Sequence, residues 1–135
     1  MTLVEGGAYP GSMDRAIRIT AGAVSAEARL NDLKTAGAIW DVLPIEAKGQ
    51  TWGDEIYFDI GVTAPPEQAR DVVDVGDLAY WQPGQAFCIF FGRTPASRGD
   101  ECRAASPVNV VGKIVGDARA FTKVRSGSRV TIERQ

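Results

Sequence analysis

The sequence predicts a mainly β domain: about eight short antiparallel strands and one clear helix, rolled into a barrel or stacked as a sandwich. Three observations point there. Period-two alternation of apolar and polar residues recurs along most of the chain. Helical spacing is clear only between Asn31 and Pro44. Turn formers, with 15 Gly and 7 Pro in 135 residues, interrupt the alternation at short intervals. An antiparallel sheet of so many strands tends to close or split, because open edges invite aggregation.

The elements follow in chain order. Residues 1–13, MTLVEGGAYPGSM, are Gly-rich and unpatterned and read as a loose arm, leaving 14–135 as one domain without linker or repeat. Alternation begins at Arg15, with Ile17 and Ile19 on one side and Arg18 and Thr20 on the other. It resumes after Ala21-Gly22 through Val24, Ala26, Ala28 and Leu30, which makes a hairpin. In NDLKTAGAIWDVLP the period changes: Leu33, Ala36, Trp40 and Leu43 share a helical face. Asn31 is placed to cap this helix and Pro44 to stop it, so a helix is expected at about 32–42 with Trp40 against the sheet.

PIEAKGQTWGDEIYFDIG reads as two strands around Gln50–Gly53, with Ile56, Phe58 and Ile60 alternating with Glu55, Tyr57 and Asp59. TAPPEQARDVV reads as a loop, since Pro65 and Pro66 cannot donate to a ladder. Strands at 77–81 and 86–91 form a second hairpin. TPASRGDECRAASP reads as a long polar loop, VNVVGKIVG as a strand, DARAFTKV (about 117–123) as a short helix or turn, and SRVTIER as the last strand.

Composition excludes several function classes. A net charge of -2 without a block of like charges argues against general nucleic-acid binding, which needs clustered cations. No apolar run approaches a membrane span, and no signal-peptide pattern opens the chain, so a cytoplasmic address is expected. Histidine is absent, which removes Ser-His-Asp and Cys-His catalysis and imidazole-based zinc sites. Two cysteines are too few for an all-thiolate site, so neither metal nor cofactor is expected. Cys88 lies in an apolar run and reads as buried, Cys102 in a polar loop as exposed, and both as unpaired.

The aromatic residues mark the candidate site. GDLAYWQPGQAFCIFFGRTP gathers Tyr80, Trp81, Phe87, Phe90 and Phe91 around one turn. Phe87, Ile89 and Phe91 share one strand face and Ala86, Cys88 and Phe90 the other, the pattern of a strand buried on both sides. Tyr80 and Trp81 face opposite ways, so one of them reaches outward or into the barrel mouth, where a ring with a polar tip is at home. In TWGDEIYF, Glu55 and Tyr57 project from one strand face beside Trp52. This is either a solvated face or a carboxylate, phenol and indole able to receive a cationic or amide ligand. Asp71, Asp74 and Asp77 lack the spacing of a calcium loop and read as turn formers. VGKIV lacks the Gly-rich lead of a phosphate loop.

TWGDEIYF, VVDVGDLAYWQPGQAFCIFFGRTP and ASPVNVVGKIVG together resemble a family of small prokaryotic proteins with a cyclophilin-like fold, over about residues 14–134. The resemblance implies a closed eight-stranded antiparallel barrel with a helix plugging one end. AFCIFFG and NVVGKIV are similar to strands of the cyclophilin prolyl isomerases themselves. In those enzymes an Arg polarises the prolyl amide, helping to lower a barrier of about 18–20 kcal/mol. That Arg finds no counterpart here: the nearest, Arg70, stands in no matching context. The expected function is therefore a non-catalytic barrel that binds a small molecule or a peptide. The ligand candidates are Trp52, Glu55, Tyr57, Tyr80, Trp81, Phe87 and Arg93. One alternative is a weak prolyl isomerase or another enzyme using Glu55 with Tyr57. A second is a protein-interaction subunit, with homo-oligomerisation left open.

Overall fold

The computed structural model of the chain describes residues 15–135. The arm expected at 1–13 lies outside them. The elements are β1 (Ala16–Ala21), β2 (Val24–Leu30), α1 (Lys34–Asp41), β3 (Ile45–Thr51), β4 (Glu55–Asp59), β5 (Arg70–Val73), β6 (Asp77–Trp81), β7 (Ala86–Phe90), β8 (Cys102–Ile114) and β9 (Ser128–Arg134). A 3-10 turn at Gln82–Gly84 joins β6 to β7, and a 3-10 helix at Ala118–Lys123 precedes β9.

All pairings are antiparallel, in the order β2-β1-β9-β3-β4-β7-β6-β8. β8 then pairs with β2 through Ala28↔Ile114, Arg29↔Lys113 and Leu30↔Gly112. Eight strands thus make a ring rather than a sandwich, and they are the eight strands expected from the pattern. Alternating residues of each strand point inward. Ile17, Ile19, Ile56, Phe87, Ile89 and Ile132 are fully buried members of this interior cluster. Each such side chain contributes about 1.5–3 kcal/mol relative to exposure. Because β2 and β8 run antiparallel, α1, which follows β2, and the 3-10 helix, which follows β8, sit at opposite ends of the ring. α1 puts Thr35, Ala36 and Ile39 out of solvent, and the 3-10 helix adds Phe121, whose ring lies 6.3 Å from that of Phe91.

The helix begins at Lys34, and its cap differs from expectation. Asn31 Oδ1 accepts from the N–H of Leu33 at 3.1 Å, one step too early to cap the first turn. The cap is Glu67, whose carboxylate accepts from the N–H of Lys34 and of Thr35, each at 2.9 Å, and from Thr35 Oγ1 at 2.8 Å. Asn109 of β8 ties the arrangement down, donating to Thr35 Oγ1 and Pro65 O at 3.0 Å each and accepting from the N–H of Glu67 at 2.8 Å. Trp40 is half-buried, with the Arg134 guanidinium 4.5 Å from its ring centroid.

Two segments expected to be loops are strands. Residues 70–73 form β5, a ninth strand outside the ring, and residues 102–107 open the long β8 that pairs with it. The pairing passes from Arg70↔Val108 to Val72↔Arg103 through an irregularity, and Pro107 falls there, where no ladder N–H is required of it. Cys102 is accordingly buried rather than exposed, and like Cys88 it is unpaired. Behind the β5–β8 flap lies a second cluster that includes Ala79, Cys88, Phe90, Cys102, Ala104 and Val108. It covers the outer face of β6 and β7, which is why every residue of β7 is buried.

Candidate functional site

β4 divides its side chains between two environments. Ile56 and Phe58 enter the barrel interior, while Glu55 and Tyr57 stand on the outer face. Cross-strand register builds rows on that outer face. Gln50, Tyr57, Cys88 and Ala79 stand side by side from β3 to β6, and Phe90 lies opposite Glu55. The flap approaches from β8 with small residues, Ala104 and Ala105, and the space they leave is a pocket of about 260 Å³. Trp52, Glu55, Tyr57, Trp81, Ala104, Ala105 and Val108 line it. The opening is on the flank of the ring, not at its mouth.

Trp81 is held through its ring and Trp52 through its backbone. Trp81 ends β6, and its Nε1–H donates to Ser106 Oγ at 2.7 Å. Gly84 lies against the same ring: a Cβ there would stand 2.9 Å from Trp81 Cζ3. Trp52 opens the β3–β4 turn, its N–H donating to Glu55 O at 2.9 Å. The next residue, Gly53, has φ +60° and so close an approach to the 93–95 segment that a Cβ would stand 2.8 Å from Pro95 Cδ. Only glycine meets both demands. The N–H of Asp54 donates to Arg93 O at 2.8 Å and the N–H of Phe91 to Asp54 O at 2.9 Å, so the turn is fastened to the chain after β7.

Glu55 supplies the electrostatics. It is 6% exposed, and among the described residues no Lys or Arg forms a salt bridge with it. Burial lifts its carboxyl from 4.5 to about 7, a rise partly offset by a hydrogen bond with the Cys88 thiol. Cys88 is itself pushed well above the ordinary thiol value by burial and by the nearby Glu55, which favours the protonated thiol. Cys102 rises to about 11, chiefly through burial. The pocket therefore combines aromatic walls with one carboxyl able to hold or release a proton near neutrality. No cationic side chain is among its lining residues.

Four of the seven candidate residues meet in this pocket: Trp52, Glu55, Tyr57 and Trp81. Three do not. Tyr80 is 1% exposed and turned into the barrel interior, where its hydroxyl donates to Val62 O at 2.5 Å and accepts from the N–H of Ala64 at 3.3 Å. Phe87 is core, stacked on Phe58 at 5.6 Å between centroids. Arg93 is exposed, and what it gives the site is its backbone carbonyl. Asp77 serves its turn as expected, accepting from the N–H of Asp74 at 2.8 Å, with Arg70 and Lys113 each 3.5 Å from its carboxylate. Among the described residues, no three His, Cys, Asp or Glu side chains are grouped to hold a metal. Val108 was expected on a strand but not at the site, and the flap residues Ala104, Ala105 and Ser106 were missed by sequence reasoning. Their one signal, the alternation in CRA, was hidden by the polar run before it and by Pro107.

Comparison with known proteins gives the family and little beyond it. No curated protein matches the chain. Among solved structures, a hypothetical protein from Archaeoglobus fulgidus, determined in solution, is 40% identical. It covers 93% of this chain and 98% of its own, with a TM-score of 0.79. No described helix is long and apolar enough to cross a membrane. A family model described as cyclophilin-like matches residues 15–133. With the ring of eight strands, its helix-bearing end and that match, the chain belongs to the cyclophilin-like family.

Proposed function

We propose that this barrel is a non-catalytic binding protein whose flank pocket receives a small molecule or one side chain of a peptide. The observation that carries the reading is the pocket itself: three aromatic residues and one buried carboxyl converge on a concave, mostly apolar space. The Trp81 ring is fixed before any ligand arrives, by Ser106 and Gly84, and the backbone that carries Trp52 is fastened by its turn, so part of the ordering cost of binding is met in advance. Absence of catalysis is supported by the lining, which offers no guanidinium to polarise a prolyl amide, and by a neighbouring thiol that burial keeps protonated. A cytoplasmic site of action fits two free cysteines.

A thermal-shift screen over metabolites and short peptides tests the reading. A ligand at about 100 times its Kd adds about 2.7 kcal/mol, which moves Tm by several degrees. At least one compound is expected to do so for the native protein and to lose the effect with Trp81→Ala. A screen in which nothing moves Tm, or in which Trp81→Ala responds equally, defeats the reading. A protease-coupled assay on an X–Pro peptide is expected to show the uncatalysed rate.

A further inference from the structure

Two acidic side chains are buried among the described residues, and they are treated differently. Asp77 has Arg70 and Lys113 at 3.5 Å. Glu55, equally buried, has no cation beside it and lines the pocket. The aromatic residues there are likewise without a ring or cation partner. Among the described residues the ring pairs are Phe58–Phe87 and Phe91–Phe121, and the cation–π contact is Arg134 over Trp40. Trp52, Tyr57 and Trp81 take part in none of them. A site whose rings are stacked on no other ring or cation, whose buried carboxyl has no salt bridge and whose lining holds no cation lacks one thing: a positive charge of small size.

We propose that the ligand of this pocket is an alkylated ammonium ion, held by the rings of Trp52, Tyr57 and Trp81 and neutralised by Glu55. The proposal rests on the pocket reading given above and narrows it. Ring quadrupoles attract a cation most where water is excluded, and methylated amines carry their charge under an apolar surface that such rings can cover. An anion would meet Glu55 with no opposing donor side chain of positive charge. A neutral guest would draw on neither the ring quadrupoles nor the charge of Glu55.

Binding should also move a proton. The ionisable groups around Glu55 are Tyr57 on its own strand, Cys88 from β7 and Cys102 from β8, with Asp54 and Asp77 adding negative charge near Cys102. From β3 the neighbour on this face is Gln50, and from the β3–β4 turn it is Trp52, neither of which titrates. Both thiols stay neutral below pH 8, so the proton released when a permanent cation enters at pH 6 comes from Glu55.

The test is calorimetric titration with choline and with its uncharged carbon isostere 3,3-dimethylbutan-1-ol, in two buffers of different ionisation enthalpy. Choline is expected to bind at least about tenfold more tightly than the isostere, the scale of a desolvated cation–π contact. Proton release at pH 6 should approach one per site. Glu55→Gln, nearly isosteric with the protonated acid, should lose at least about tenfold for choline and release no proton while leaving the isostere unaffected. A trimethyllysine peptide distinguishes sources. Tighter binding than choline assigns the ammonium to a protein side chain, weaker binding to a free amine, and either result supports the proposal. Equal binding of choline and isostere, with Glu55→Gln indifferent, overturns the cation and leaves the pocket reading intact. If neither binds, the cation proposal falls, and the pocket reading falls only if the thermal-shift screen is also blank.

Discussion

Glu55 carries a consequence for stability that is separate from binding. Its carboxyl rises from 4.5 to about 7 on folding, so between those values the folded chain holds a proton that the unfolded chain has released. The stability this group allows is complete below pH 4.5, declines as pH rises toward 7 and is lowest above it, a span of about 3 kcal/mol at most. Gln at this position cannot ionise. The stability of Glu55→Gln relative to the native protein should therefore rise by roughly 2–3 kcal/mol between pH 5 and pH 8 in urea unfolding. Parallel pH profiles would contradict the burial described for Glu55. The sequence showed that Glu55 and Tyr57 share a strand face, because alternation shows that directly. It did not show that the face is covered, because the cover comes from residues 102–108, nearly fifty positions away.

At the scale of elements, two supports are open to mutation. Ser106 on β8 accepts the Trp81 indole N–H. Ser106→Ala leaves that donor without its partner and should destabilise by about 1–3 kcal/mol, and weaken any ligand that Trp81 holds. Trp81→Phe, which removes the donor as well, should make Ser106→Ala nearly neutral in a double-mutant cycle. Glu67 caps α1 from a loop 33 residues beyond Lys34, and its carboxyl is held below the ordinary value by the N–H groups of Thr35 and Lys34. Glu67→Ala should cost about 0.5–2 kcal/mol at pH 7. Because the carboxyl is depressed, the native advantage should shrink as pH falls below the unfolded value near 4.5, which urea curves at pH 7 and pH 3.5 would compare. The strands and helix were legible in the sequence because their periodicity is local. The cap, β5 and the first half of β8 were not: each depends on a partner far along the chain, and Pro65, Pro66 and Pro107 weigh locally against a ladder.

For the molecule as a whole, the ring depends on the short β2–β8 seam. Gly112 sits in it so tightly that a Cβ would come within 3.0 Å of Leu30 Cα and still closer to Arg29 O. Gly112→Ala should cost about 1–3 kcal/mol, as overpacking does, and should speed amide exchange first in β2 and in residues 112–114. Uniformly raised exchange would show that the seam is not the weak join. The same architecture separates interior from site. The barrel holds its aliphatic and phenylalanine core inside and carries Trp52, Tyr57, Trp81 and Glu55 outside, under a flap that no ring strand needs for closure. A binding surface can thus be altered through Ala104, Ala105 and Trp52 without disturbing the interior cluster.

The three indole Nε1–H signals in a nitrogen-edited NMR spectrum test this separation most directly. Trp52 and Trp81 line the flank pocket, and Trp40 stands on α1 with Arg134 across its ring. During titration with choline, or with any compound that raises Tm, the signals of Trp52 and Trp81 are expected to shift together and saturate while that of Trp40 stays fixed. Movement of Trp40 alone, or no saturable movement at Trp52 and Trp81 with any such compound, would contradict the pocket as the seat of function.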